Sequence, residues 1–399
     1  MKKSIIALFL CANYANASGL LLQEAATANA GTVGAGDGVY TESAAASWIN
    51  PATMSYMGED KFTINAMFLD LQMDYEDYGT KGELPDYTPT GDTDAQTVMP
   101  ALGVFYARQV TDNLHLGINI GGTGGSSIDY GTQWDGANHL VKANMSILQV
   151  NPNMSYKVSD KLSIGFGGQI SYAILEVSTT GIEIDEGDDF SYGYTAGLMY
   201  QEEHWALGLS YRSKVVHEFS DMSVTSLMDP PIESIVGTEL ITPSIIDISG
   251  RLAVTPTLSL LSSIQLHRWS EYPETPVYHD KLNSLEGAPQ SINREWEDTW
   301  KYAIGAEYLL NQNWTLKAGF AYETAPQDDP TKQWVDFPVG ESYRYSLGAK
   351  TKWHDTVVDV FYEYADLGTV EIDRTGKAYT QIYGGFEGQI HFFGVNFTF

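Results

Sequence analysis

Counting back from the last residue, Phe399, Phe397, Val395 and Phe393 alternate with Thr398, Asn396 and Gly394. A period of two with one greasy face marks a strand whose sides meet different surroundings. So dense an apolar face suits contact with lipid, although an edge strand of a soluble sandwich would look similar. The pattern recurs along the chain, as in Leu207, Leu209 and Tyr211 against Gly208, Ser210 and Arg212.

The rhythm of the turns decides between these readings. Short polar turns fall at Val110-Thr111-Asp112-Asn113, Val158-Ser159-Asp160-Lys161, Gln201-Glu202-Glu203-His204, Thr255-Pro256-Thr257, Asn311-Gln312-Asn313 and Trp353-His354-Asp355. Longer polar, Pro-rich or acidic stretches lie between them, near 73–98, 124–140, 181–190, 221–244, 270–298, 325–341 and 367–386. Six turns and seven loops make fourteen strands. An even strand number with short turns at one end and long loops at the other is the pattern of an outer-membrane barrel. The expected fold is all-β: a transmembrane antiparallel barrel of fourteen strands over residues 59–399, closed so that no strand edge is left open.

Residues 18–58 do not follow the strand rhythm. They are small and Ala/Gly-rich, with Trp48 and the turn-like Asn50-Pro51 near the end. Too weakly apolar to fold alone, this segment either packs inside the barrel as a hatch or hangs from it as a tail. A lumen of fourteen strands is too wide for wall side chains to fill, which makes a plug physically reasonable.

Residues 1–17 read as a cleaved targeting segment. Lys2 and Lys3 precede an apolar run from Ile5 to Ala12, and Ala15-Asn16-Ala17 offers a small-residue cleavage site before Ser18. Cys11, the chain's one cysteine, lies within it, so the mature chain has neither disulfides nor thiol chemistry.

Charge narrows the partners. Lys and Arg number 22 against 51 Asp and Glu, a balance that argues against nucleic acid. A disordered acidic chain is also excluded, because 43% hydrophobic and 12% aromatic residues are too many. No stretch after the targeting segment could cross a membrane as a helix.

The sequence resembles the FadL/TodX family of outer-membrane transporters for long-chain fatty acids and hydrophobic compounds. The resemblance rests on Ser18-Gly19-Leu20, Asn50-Pro51-Ala52, Leu148-Gln149-Val150-Asn151-Pro152-Asn153 and Tyr211-Arg212-Ser213-Lys214-Val215. It continues in Arg268-Trp269-Ser270-Glu271-Tyr272, Trp314-Thr315-Leu316-Lys317-Ala318-Gly319, Arg344-Tyr345-Ser346-Leu347 and Phe393-Gly394-Val395-Asn396-Phe397. Leu20 and Thr53 depart from it, standing where the family often has an aromatic residue and a glycine.

The resemblance implies a hatch whose Ser18, Gly19, Leu20, Asn50 and Pro51 adjoin an apolar lumenal pocket. Ligand would be captured among the loops and leave sideways at a kink in strand three. In this chain Gly121, Gly122, Gly124 and Gly125 are the candidates for that kink. Glycine weakens strand pairing and permits a bend, but the same residues could simply begin the next loop. The expected partners are long-chain fatty acids or other hydrophobic small molecules, with outer-membrane lipid and lipopolysaccharide around the barrel; a monomer is expected, with the oligomeric state left open by the sequence.

A carboxylate carried into an apolar lumen needs a buried cation. With the greasier face of each strand towards lipid, Arg212, Lys214, Lys317, Arg344 and Arg251 point inward and are the candidate headgroup residues. The competing reading is that they pair with lumenal acids such as Asp247 or Glu323. Trp134, Trp269, Trp300, Trp314 and Trp353 are expected near strand ends as interface anchors. The acidic stretches, including Asp185-Glu186-Gly187-Asp188-Asp189, read as solvated loops without calcium-loop spacing.

Catalytic motifs are absent, and the eight histidines show no metal spacing. The chain is therefore expected to be no enzyme and to carry no cofactor or metal. Uptake of fatty acids leads the functional readings. Uptake of aromatic hydrocarbons, an open diffusion porin and a surface adhesin or receptor are the alternatives.

Overall fold

A computed structural model describes residues 24–79, 91–226, 233–279, 291–338, 340–374 and 382–399. Residues 1–23, which hold the expected targeting segment and Ser18, Gly19 and Leu20, lie outside these residues. The strands β1 (Asp60–Asp77), β2 (Thr93–Thr111), β3 (Leu114–Asp129), β4 (Lys142–Lys157), β5 (Leu162–Ser178) and β6 (Ile182–Gln201) follow one another as antiparallel neighbours. Two further staves are each built from two segments: β7 (Trp205–Arg212) with β8 (Val215–Ser226), and β9 (Glu233–Thr242) with β10 (Ile245–Thr255). Next come β11 (Leu258–His267), a small hairpin of β12 (Glu274–His279) and β13 (Ser291–Asn293), and β14 (Thr299–Leu309). The last four are β15 (Trp314–Glu323), β16 (Ser342–Trp353), β17 (Thr356–Asp373) and β18 (Tyr383–Thr398).

β18 pairs back onto β1 from Thr63↔Thr398 to Asp77↔Gly384, which closes a fourteen-stave antiparallel barrel. Closure leaves the sheet no free first or last strand, as lipid demands. All six expected short turns lie between consecutive staves, at one end of the barrel. Leu207, Leu209, Leu116, Phe166, Ile304, Leu347 and Phe393 stand exposed on the outer face, and Trp205, Trp300, Trp314 and Trp353 stand exposed near stave ends.

Several expected loops are shorter than their sequences suggest. The stretch 181–190 is mostly strand, because β6 starts at Ile182 and carries Asp185 to Asp189 above the apolar band. The 124–140 loop starts only at Tyr130, and the 221–244 stretch is largely β8 and β9. Polar residues on both faces hide a strand's period when that strand rises out of the membrane into water. Trp134 and Trp269 are no interface anchors: they are 1% and 5% exposed, because their connections fold inward over the barrel's mouth.

Residues from Glu24 to Met57 form only short turns and one helical turn, Ala46–Ile49, and nearly all are buried against the inner wall. Wall glycines let their backbone come close. A Cβ on Gly165 would lie 2.3 Å from the Ala52 nitrogen, and one on Gly319 would lie 2.4 Å from the Thr32 carbonyl carbon. Asp37 accepts from the Ala28 and Asn29 amides at 3.0 Å, holding the segment's own fold.

Candidate ligand site in the barrel lumen

Alternation places one side chain in two on the inner wall, and the two halves of that wall differ. Near the short turns it is small and polar, and the N-terminal segment is bonded to it. Asn50 donates to the Gly38 and Leu198 carbonyls at 2.8 and 3.0 Å. Its carbonyl oxygen accepts from the Ala52 amide at 3.0 Å, which starts the turn Pro51–Tyr56. Asn50 and Pro51 are both buried there.

Towards the long loops the inner wall turns apolar. Met67, Leu69, Leu71, Met73 and Tyr75 of β1 join Phe386, Ile390 and Phe392 of β18, under Tyr130, Trp134 and Leu140 of the 130–141 loop. A second cluster holds Met145 and Ile147 of β4, Phe219 and Met222 of β8, and Val236 and Leu240 of β9. Membrane barrels ordinarily keep polar groups inside. The upper half of this interior is instead lined by apolar side chains.

Between the second cluster and the N-terminal segment lies a cavity with about 970 Å³ of unfilled space, its open mouth included. Trp269, Trp296, Phe337 and Val33 supply apolar lining, while Glu24, Asp37, Glu323 and Glu363 outnumber Lys301 and Arg344. The cavity is therefore acidic.

The wall itself is interrupted. β2 pairs with β1 from Arg108 to Thr93, but with β3 only as far as Gly103↔Gly121. β3 continues to Asp129 against β4, with a bulge between Gly122 and Gly124. The glycines thus lie within a strand, at the point where its ladder to β2 ends. Beyond it, side chains bridge the break: Thr97 and Thr93 hydroxyls donate to the Ser127 and Tyr130 carbonyls at 2.9 and 2.8 Å. Trp48 stands behind, its ring 3.7 Å from where a Gly121 Cβ would be and edge-on to Phe105.

The five candidate cations meet different fates. Arg212 is buried, donating to the side-chain carbonyls of Gln149 at 3.0 Å and Gln169 at 2.6 Å and to the Trp48 carbonyl at 2.7 Å. Among the described residues no carboxylate pairs with it. Lys317 is bonded to Asp359, and Arg344 lies between Glu24 and Glu363, all of them buried. Arg251 is half-exposed, bonded to Ser259 at 3.0 Å and 3.9 Å from Glu307. Lys214 does not point inward. It is exposed, because the two residues between β7 and β8 shift the alternation so that Arg212 and Val215 both face the lumen. Asp247 and Glu323 bind other groups, Gln265 at 3.0 Å and His267 at 3.1 Å.

Residues 8–399 match the family described as outer membrane protein transport protein (OMPP1/FadL/TodX). The chain belongs to this family. It is 25% identical to outer membrane protein P1 of Haemophilus influenzae over 90% of this chain and 88% of that one. With the long-chain fatty acid transport protein of Escherichia coli O6:H1 it shares 22% identity over 99% of this chain and 97% of the relative. The fold is that of a Pseudomonas aeruginosa FadL homologue, with TM-score 0.84, 18% identity, and 96% and 99% of the two chains covered. The Pseudomonas putida toluene transporter TodX has the same fold, with TM-score 0.71, 15% identity, and 93% and 98% covered. As a FadL/TodX protein the chain is an outer-membrane transporter for hydrophobic compounds.

Lys350 and Lys301, both inward in this FadL/TodX chain, were not among the sequence candidates. Lys350 sits 2.6 Å from Glu42 of the N-terminal segment, and Lys301 lines the cavity. Lys350 has the same strand phase as Arg344, so alternation carried that signal. For Trp48, Gln149 and Gln169 no local pattern existed, since only the packed barrel brings them to Arg212.

Proposed function

We propose that this protein takes up long-chain fatty acids from outside the cell and releases them sideways into the outer membrane. Residues 18–58 act as the hatch that closes the periplasmic end, with 1–17 removed beforehand. Ligand caught beneath the loops dissolves in the apolar upper lumen, moves past Trp48 and leaves through the β2/β3 break beyond Gly121. The carrying observation is that continuity: an apolar lumen ends on a wall segment held by side chains instead of a ladder. Lateral release spares the solute both the polar lipopolysaccharide layer and the filled lower lumen. Arg212, a buried cation at the level of Gly121 that pairs with no carboxylate among the described residues, is the headgroup residue of choice.

Aromatic hydrocarbons are the second reading. The neutralisation of Lys317 and Arg344 and the acidity of the cavity favour it, since an uncharged ligand needs no cation. Equilibrium binding of oleate and of toluene to the purified full-length mature protein tests the two. Oleate binding that weakens in Arg212→Ala supports the fatty-acid reading. Toluene binding without oleate binding moves the protein to the hydrocarbon branch, and binding of neither sinks both.

A further inference from the structure

The barrel wall has a second interruption, four strands from the first. β6 pairs with β7 from Gln201↔Ala206 to Thr195↔Arg212, and with β8 only at Ile182↔Ser226, Glu183↔Thr225 and Ile184↔Val224, one residue out of register. Between these ladders, residues 185–194 of β6 face 213–223 across a seam closed by side chains. At its base the Ser213 amide donates to the Tyr194 carbonyl at 2.9 Å, and the Tyr194 amide donates to the Ser213 hydroxyl at 2.9 Å. Gln169 of β5 donates to the Tyr194 carbonyl at 3.0 Å and reaches across the seam to the Ser213 carbonyl and hydroxyl at 3.3 Å. Higher up, Asp189 takes over the ladder's role, accepting from the Glu218 amide at 3.2 Å and from His217 Nδ1 at 3.2 Å. His217 Nε2 accepts from the Ser171 hydroxyl at 2.9 Å.

Ser171, His217 and Asp189 thus have the connectivity of a charge relay. However, Ser171 and His217 are 0% exposed and the Gln149 amide covers the serine at 3.5 Å, which denies a substrate any approach. The trio serves as a latch. Unpaired strand edges are costly against lipid unless side chains or a cavity serve them. This seam reaches into the lipid zone: outward Tyr200, Leu198, Tyr194, Tyr192 and Phe190 are exposed and span the about 9–11 residues a strand needs to cross. Its lower end, up to Phe190, therefore lies inside the apolar band, and just above it Phe219 and Met222 of the apolar lumen stand beside Gly187 on the inner side.

Charge along the seam is divided. Glu183, Asp185, Glu186, Asp188, Asp189, Glu218 and Asp221 crowd its upper part, and neither 182–194 nor 215–226 holds a Lys or Arg. At the base stand Arg212 on the inner face and Lys214 on the outer, one residue apart along the chain from Ser213. Among the described residues neither pairs with a carboxylate. A lysine on the lipid face is expensive unless an anion or the headgroup layer meets it.

We infer that the β6/β8 seam is a second lateral gate, through which a long-chain carboxylate passes between lumen and outer leaflet, its headgroup handed between Arg212 and Lys214. The acidic upper seam repels the carboxylate towards the base, and the acyl chain slides between Phe219 and Met222 inside and the tyrosine belt outside. The choice of a carboxylate rests on the fatty-acid reading above, whereas the gate does not.

Two glycines provide a way to lock it. A Cβ on Gly193 would lie 2.7 Å from Ser213 Oγ, and one on Gly187 would lie 2.6 Å from Met222 Cγ. Both pairs are within reach of the about 3.5–4.5 Å between the Cβ atoms of a disulfide. G193C/S213C and G187C/M222C are therefore two independent staples in a mature chain with no other cysteine.

The full mature protein in lipid nanodiscs is photolysed with a long-chain fatty acid bearing a terminal diazirine and, separately, with uncharged trifluoromethyl-phenyldiazirine. Labelling at Phe219 is then read by mass spectrometry. The gate predicts fatty-acid labelling that falls severalfold in either oxidised staple and returns with dithiothreitol. It also predicts a severalfold fall in Lys214→Ala without any staple. Fatty-acid labelling that is absent, or that ignores both staples while oleate still binds, overturns the gate and leaves the fatty-acid reading standing. Staple-sensitive labelling by the phenyl probe alone overturns the carboxylate hand-over and that reading together.

Discussion

The Arg212 guanidinium donates to the Trp48 carbonyl at 2.7 Å and lies 4.9 Å from the centre of the same residue's indole ring. One wall cation therefore holds the N-terminal segment at the residue that backs the β2/β3 break. Arg212→Ala removes hydrogen bonds from a charged donor, each worth about 1.5–3 kcal/mol. Loss of one such bond corresponds to a roughly tenfold to hundredfold greater detached fraction. Single-channel recording in planar bilayers should show frequent openings in the variant against a nearly closed wild type. An unchanged closed baseline would mean that the segment does not depend on this anchor.

Lys317 and Asp359 are buried partners, so removing one strands the other. Lys317→Ala should cost about 3–5 kcal/mol, and Lys317→Ala with Asp359→Ala should recover most of it. Heat-induced unfolding of the barrel, followed by gel mobility, measures both. Oleate affinity should be the same in the double variant as in the wild type. A loss of affinity there would restore Lys317 as a headgroup residue.

Gly121 stands where the β2 ladder ends, and a Cβ there would make ordinary contact with the Trp48 ring at 3.7 Å. Gly121→Ala should accordingly leave uptake unchanged. Gly121→Leu should fill the break, reducing oleate uptake by cells about tenfold or more while the barrel still folds. Equal uptake by both variants would rule out this route.

His139 of the 130–141 loop lies 5.2 Å from the Trp334 ring, and burial, with Arg374 nearby, pushes it down to about 4 from an ordinary 6.5. The folded loop thus binds this proton less readily than the unfolded one. Its contribution is complete above pH 6.5 and is lost as pH falls through about 4, on the order of 3 kcal/mol in all. Tryptophan fluorescence followed from pH 7 to 4 should show the 130–141 loop separating from Trp334 in the wild type. His139→Gln should flatten that change, and an identical change in both proteins would exonerate the histidine.

Much of this was legible in the chain. The strand number followed from the rhythm of six tight turns and seven loops, and the lipid face of Phe393 and the lumenal phase of Arg212, Lys317, Arg344 and Arg251 from a period of two, which each strand carries within itself. That period slips wherever a stave is interrupted, which is why Lys214 was misplaced: Ser213 and Lys214 sit in a two-residue break that alternation cannot foresee.

The sequence by itself determined that this is a barrel, which side of each strand meets lipid, and that residues 24–58 precede the first strand without forming one. Only the tertiary structure decided that Lys317 and Arg344 are neutralised while Arg212 is held by amides and an indole, and that the ladder fails beyond Gly121 and Thr195. The reason is physical. Facing is a local property fixed by pleat and polarity, whereas pairing depends on register between strands far apart in the chain. Asp359 meets Lys317 from 42 residues away, and Glu24 meets Arg344 from 320. No short stretch of sequence encodes those distances.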